Sequence, residues 1–137
     1  MLTRTISIRV RYGETDQMGV VYHANYASYC EVARVEFFRQ IGLSYKGLED
    51  SGIMLPVTEL KLRFFKAAVY DELLKIDTSL VEIPTAARIK FVYKIYNEKK
   101  ELLTEAYSEL AFIDKVSRRP VRCPKELIEL LKKLSDG

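Results

Sequence analysis

The chain has 137 residues, 48% of them apolar and 30% charged, enough for one domain with a real core but not for a core plus a separate cofactor domain. Its 22 Lys and Arg stand against 19 Asp and Glu, a formal charge of +3, and they are interspersed, so a nucleic-acid interface is not expected. No run is apolar for long enough to cross a bilayer or to act as a secretory signal, which points to a cytoplasmic protein made of a single domain over residues 1–137.

The first predicted element is a half-buried strand from Thr3 to Tyr12, in which Ile6, Ile8, Val10 and Tyr12 alternate with Thr5, Ser7, Arg9 and Arg11. Gly13 ends it, and a loop carries Glu14, Thr15 and Asp16 towards Gly19. From Asn25 to Ile41 the period changes. Tyr26, Cys30, Ala33, Phe37 and Ile41 recur every three or four residues, Glu31, Arg34 and Arg39 fall on other faces, and the small Ala24, Ala27 and Ala33 allow close packing on a sheet. Asn25 is the expected N-cap and Gly42 the left-handed terminator of this helix.

A loop with Gly47, Gly52 and Pro56 then leads into strands marked by Leu60, Leu62 and Phe64, by Leu74, Ile76, Thr78 and Leu80, and by Ala87, Ile89, Phe91, Tyr93 and Ile95. Residues 97–100 are a polar hairpin turn before a long strand from Leu103 to Ile113. Pro124 opens a final amphipathic helix bearing Leu127, Ile128, Leu131 and Leu134. The order strand, helix, four strands, helix, without any repeating strand–helix unit, predicts an α+β domain in which a long helix packs on a curved antiparallel sheet.

The stretch from Tyr12 to Tyr26 holds the single histidine, His23, together with Glu14, Asp16, Gly13 and Gly19, where a strand gives way to a helix start. Such a junction suits catalysis, because the first helical turn has unpaired N–H donors and partial positive charge. Asp16 taken alone reads as a turn residue; beside a helix start it is also a candidate nucleophile or general base. Asn25, as a cap, and Tyr22 and Tyr26, as pocket walls, are expected to shape the site rather than move protons. Cys30 and Cys123 lie far apart, and neither a disulfide framework nor a metal-ligand spacing is present. A Gly-x-Ser-x-Gly elbow and a Gly-rich phosphate loop are also missing, so no metal or other cofactor is expected.

Asp16-x-x-Gly19-Val20-Val21-Tyr22-His23-x-Asn25-Tyr26, followed by Glu31-x-Ala33-Arg34-x-Glu36, resembles the signature of the hotdog-fold acyl-CoA thioesterases, and more closely the YbgC and 4-hydroxybenzoyl-CoA thioesterase family. Leu55-Pro56-Val57, Tyr70-Asp71-Glu72 and the strand order extend the likeness over nearly the whole chain. Ala67 replaces a frequent proline, and Glu14 stands where many relatives have aspartate. The resemblance implies a five-stranded sheet wrapped around the central helix, a homodimer that assembles to a homotetramer, and active sites at the subunit interface. It implies hydrolysis of an acyl-CoA, or of an acyl carrier protein thioester, to a free carboxylic acid.

Under that resemblance Asp16 is the catalytic carboxylate and the backbone N–H at His23 binds the thioester oxygen. The His23 side chain either orients water or protonates the thiolate, or else packs at the subunit contact. Gly19, Val20, Val21, Tyr22, Asn25 and Tyr26 line the substrate, with Glu59 as a second carboxylate, although Lys61 and Arg63 on the same side of its strand favour a solvated face. Arg88 and Lys90 match positions that hold CoA phosphates, and surface solubility is the alternative. Arg118, Arg119 and Arg122 form a further basic cluster. A non-catalytic acyl-CoA or carrier-protein binding module is the second reading, and a 3-hydroxyacyl dehydratase, which usually has a His-rich motif, the third.

Overall fold

The computed structural model describes residues 2–136. Strand β1 runs over Thr3–Arg9, and its alternation puts Ile6 and Ile8 against the core while Thr5 and Ser7 face solvent. It stops earlier than its pattern suggests. The chain turns at Val10, which is fully buried, so that Tyr12 lies in a single 3-10 turn, Tyr12–Glu14, and is 79% exposed.

Helix α1 spans Ala24–Gln40 and buries Tyr26, Tyr29, Cys30, Ala33, Phe37 and Phe38, the face that its periodicity marks. Ala24 is exposed and Ala27 half-buried, so the close approach is made at Ala33 alone of the three alanines. Gly42 ends the helix at φ 94°, where a residue without Cβ is favoured, and its N–H donates to the Arg39 carbonyl at 3.1 Å. Two expectations for α1 fail. Asn25 is inside the helix rather than capping it, and His23, with no side-chain capping bond, is the N-cap. Arg34 does not face solvent.

Arg34 is 6% exposed and has no carboxylate partner among the described residues. Instead its Nε donates to Tyr45 Oη at 2.7 Å, its Nη1 to Tyr93 Oη at 3.2 Å, and Tyr93 Oη shares a hydrogen bond of 2.5 Å with Ser108 Oγ. Burying a charge is costly unless its donors are satisfied. Two hydroxyl groups accept from it here, Ser108 braces the second of them, and the network ties α1 to the sheet.

The segment expected to be a loop contains helix α2, Tyr45–Asp50, capped by Ser44 Oγ accepting from Gly47 N at 2.9 Å. A two-residue strand, β2 at Ile53–Met54, follows. The main strands are β3 (Val57–Phe64), β4 (Leu73–Leu80), β5 (Arg88–Tyr96) and β6 (Leu102–Ala111). Phe112 interrupts the long strand expected to reach Ile113, and the chain resumes as β7, Ile113–Asp114, which pairs with β2 in a small second sheet. Helix α3, Lys125–Asp136, follows Pro124 and buries Leu127 and Leu131.

The five-stranded sheet is antiparallel in the order β1-β4-β5-β6-β3. Leu74, Ile76, Ile89, Phe91, Ile95, Leu103 and Leu110 are all buried on the face that receives α1. Phe37 and Phe38 pack edge-on against Phe91 at 5.2 and 5.7 Å between ring centres. β3 is an edge strand, and its Leu60 and Phe64, on the same side as the half-buried Leu62, are 41% and 47% exposed. Among the described residues no helix is long and apolar enough to cross a membrane.

Candidate active site

The loop from Thr15 to Val21 is a tight reversal held by its own backbone. Asp16 N donates to the Val20 carbonyl at 2.8 Å and Gly19 N to the Asp16 carbonyl at 3.0 Å, with Gly19 at φ 79°. Asp16 Oδ1 accepts from Met18 N at 2.8 Å and more weakly from Val20 N at 3.4 Å. These bonds fix the carboxylate's direction. Oδ2 meets no protein donor among the described residues, which leaves one oxygen available for chemistry.

Backbone contacts fasten this loop to a second segment. Val20 bridges Val69, and Val21 N donates to the Ala68 carbonyl at 2.9 Å. Ala68 N in turn donates to Tyr26 Oη at 3.1 Å, so that α1 holds the same residue from below. Burial raises the Tyr26 hydroxyl above its ordinary pKa, and although the Ala68 N–H acts against this, the group stays neutral as an acceptor.

Two clefts meet at Asp16, the one residue lining both. The larger, about 920 Å³, has walls from Tyr12, Tyr22, Asn25 and Tyr70. The other, about 390 Å³, is more apolar and takes Met18, Val20, Val21, His23, Tyr26, Phe64 and Phe65. Both are open to the surface. A depression of about 500 Å³ elsewhere, among Lys61, Arg63, Lys94 and Tyr107, lies on the far side of the sheet from the core and away from Asp16.

At the start of α1, Tyr22 N donates to the Glu14 carbonyl, and Asn25 N and Tyr26 N donate to Tyr22 and His23 carbonyls. The N–H groups of His23 and Ala24 have no acceptor among the described residues. They carry the positive end of a 17-residue helix dipole. The His23 ring lies 4.4 Å from Tyr22 and 6.5 Å from Phe64, between centres.

Asp16, Gly19, Val20, Val21, Tyr22, His23, Asn25 and Tyr26 are thus gathered around the two clefts. Glu59, Arg88 and Lys90 are not among them. Glu59 pairs with Lys61 at 3.0 Å on the solvent side of β3. Arg88 and Lys90 share one carboxylate, Glu109, at 3.2 and 3.9 Å, and Lys90 also approaches Glu82. Their positive charge is therefore already partly neutralised. Four further cleft walls are not marked by the sequence pattern. Tyr12 reads as the last inward residue of the first strand but is carried out to the larger cleft by the 3-10 turn, while Tyr70, Phe64 and Phe65 arrive through the long-range bridge from Val20 to Val69 and the end of β3. Among the described residues no group of three or more His, Cys, Asp or Glu side chains is placed to hold a metal ion.

This arrangement coincides with a known family over most of the chain. Residues 10–131 match the family model of the thioesterase-like superfamily. The chain is 36% identical to YneP of Bacillus subtilis over 118 residues, 86% of this chain and 85% of that one. It is 30% identical to the acyl-CoA thioester hydrolase YbgC of Escherichia coli over 121 residues, 88% of this chain and 90% of the other. Its fold superimposes on the structure of DHNA-CoA thioesterase from Staphylococcus aureus with a TM-score of 0.92 and 36% identity, covering 99% and 93% of the two chains. The chain belongs to the thioesterase-like superfamily and is a hotdog-fold thioester hydrolase.

Proposed function

We propose that the protein hydrolyses an acyl-CoA to a carboxylic acid and CoA, with Asp16 as the reacting carboxylate. One observation carries this reading: a carboxylate with one oxygen unengaged stands where two clefts meet, next to a helix start whose His23 and Ala24 N–H groups are unpaired. Thioester hydrolysis needs these two things, a nucleophile or base and donors for the oxyanion.

With the substrate carbonyl oxygen at those N–H groups, Asp16 works in one of two ways. As a base it takes a proton from water, the hydroxide adds to the carbonyl carbon, and the tetrahedral intermediate expels CoA thiolate. As a nucleophile its Oδ2 displaces the thiolate to give a mixed anhydride, which water then hydrolyses. In either case the donors stabilise charge that develops only in the transition state. The His23 ring can donate a proton to the leaving thiolate.

The apolar cleft suits the acyl group, since Phe64, Phe65 and Tyr26 surround it. The Staphylococcus aureus neighbour acts on DHNA-CoA, which supports an aromatic ester among the substrates. For the CoA phosphates, Arg118, Arg119 and Arg122 have no carboxylate partner among the described residues, unlike Arg88 and Lys90. Two buried free thiols, Cys30 and Cys123, accord with a cytoplasmic setting. Thiol release is the test, measured for short-chain, long-chain and aromatic acyl-CoAs and for an acyl carrier protein thioester, with a chelator present. Release from a CoA ester is expected. Binding of CoA esters without release from any of them would favour the binding module.

The site is also proposed to work in a dimer. The free edge of β3 offers unpaired backbone groups beside exposed Val57, Leu60, Phe64 and Phe65, a surface that a second copy of the chain would cover. Because Phe64 and Phe65 also wall the apolar cleft, a partner would close it. Light scattering should give the mass of a dimer or of a dimer pair, and a monomeric mass in an active enzyme would exclude this arrangement.

A further inference from the structure

We propose that Glu14 is a positioning residue for the hydrolysis, fixing the turn that carries Asp16 against the start of α1; this rests on the reading of Asp16 above. Glu14 lies two residues before Asp16, and its side chain is 14% exposed. Both of its acceptor groups are fully used. Carboxylate Oε1 accepts from Arg11 N at 2.8 Å and from Tyr29 Oη at 2.9 Å, and Oε2 accepts from Arg11 Nε at 3.2 Å and Nη2 at 3.0 Å. Its carbonyl accepts from Tyr22 N at 2.9 Å and from Asn25 Nδ2 at 2.8 Å.

The partners divide into two groups with different consequences. Arg11 belongs to the strand side, and its guanidinium is 80% exposed, so the ion pair itself adds little. Tyr29, Asn25 and Tyr22 belong to α1 or its lead-in, and Tyr29 is 2% exposed. Through them one residue links the Asp16 turn to the first two turns of α1, and Tyr22 immediately precedes the His23 N–H. The spacing between carboxylate and oxyanion donor therefore passes through Glu14. Burial alone would raise the Glu14 carboxyl, but the Arg11 N–H, the Tyr29 hydroxyl and the Arg11 guanidinium outweigh it and keep the group charged, below the usual 4.5. A charged acceptor strengthens the Tyr29 bond. Neither Glu14 nor Tyr29 lines either cleft, so their effect on turnover would pass through Asp16 and the helix start.

Small displacements of reacting groups can cost up to about 10²-fold in rate. The test compares kcat, KM and the thermal midpoint for wild type, Tyr29→Phe, Glu14→Gln and the double variant, with Asp16→Asn alongside. Tyr29→Phe removes only a hydroxyl and should fold. It is expected to lower kcat about tenfold with KM within about twofold, and the double variant should be no slower than the slower single, since both remove one linkage. Wild-type kcat in both single variants, a loss confined to KM, or additive losses that follow the thermal midpoint would overturn the positioning role. If those results came with an active wild type and an inactive Asp16→Asn, only this inference would fall; a wild type that releases no thiol overturns the functional reading with it.

Discussion

Asp16→Asn is expected to lower kcat by about 10²–10⁴, the range for loss of one acid–base group, and by more if Asp16 attacks the thioester directly. The substitution is nearly isosteric. Asparagine keeps an Oδ1 that can accept from Met18 N and Val20 N, so the loop from Thr15 to Val21 should hold its shape, and the unfolding midpoint should move little. KM should change far less than kcat, because the cleft walls and the His23 and Ala24 N–H groups are untouched. Steady-state thiol release measures both. A variant that keeps wild-type kcat would remove Asp16 from the chemistry, whatever the rest of the site does.

The largest expected loss of stability is at Phe37. Its side chain is fully buried, with ring centres 5.2 Å from Phe91 and 5.8 Å from Phe38, so it joins α1 to the middle of the sheet. Phe37→Ala should destabilise by about 3–5 kcal/mol, combining lost transfer energy with the cavity left behind. Against a total of about 5–15 kcal/mol for a typical domain, that is a large fraction. Equilibrium urea unfolding at unchanged slope reports the difference. A loss below about 1 kcal/mol would mean that α1 is held to the sheet by other contacts, such as the Arg34 hydroxyl network.

Most of the fold is legible from local pattern because its cause is local. Alternation in β4 and β5 marks Leu74, Ile76, Ile89, Phe91 and Ile95 as core, and all of them are buried. Gly42 ends α1 where a positive φ is needed. The failures share a different cause. Arg34 reads as lying off the apolar face because no charged residue is expected in a core, yet Tyr45 and Tyr93, from two separate elements, accept from it, and Ser108 from a third holds the Tyr93 hydroxyl. Asn25 has a cap's chemistry, but its side chain reaches back eleven residues to the Glu14 carbonyl, leaving His23 as N-cap. α2 is short and contains Gly47, and its Ser44 cap is a weak signal without a longer apolar period.

The site divides along the same line. The residues from Asp16 to Tyr26 are contiguous, so one turn and one helix start deliver them together. The aromatic walls Tyr70, Phe64 and Phe65 arrive through β3 and the Val20–Val69 bridge, which no short-range pattern encodes. Arg88 and Lys90 alternate as a phosphate pair would, but the cross-strand register sets Lys90 opposite Glu109, and the acid claims both cations.

Single-turnover thiol release, with enzyme in excess over one acyl-CoA that wild type accepts, tests most directly whether Asp16 performs the chemistry, since product release no longer contributes. Binding of the same ester is followed in parallel in the presence of chelator. Asp16→Asn is expected to bind the ester as wild type does and to release thiol at least about 10²-fold more slowly. Equal binding with equal release in the two proteins would contradict the assignment and place the reacting group elsewhere in the clefts.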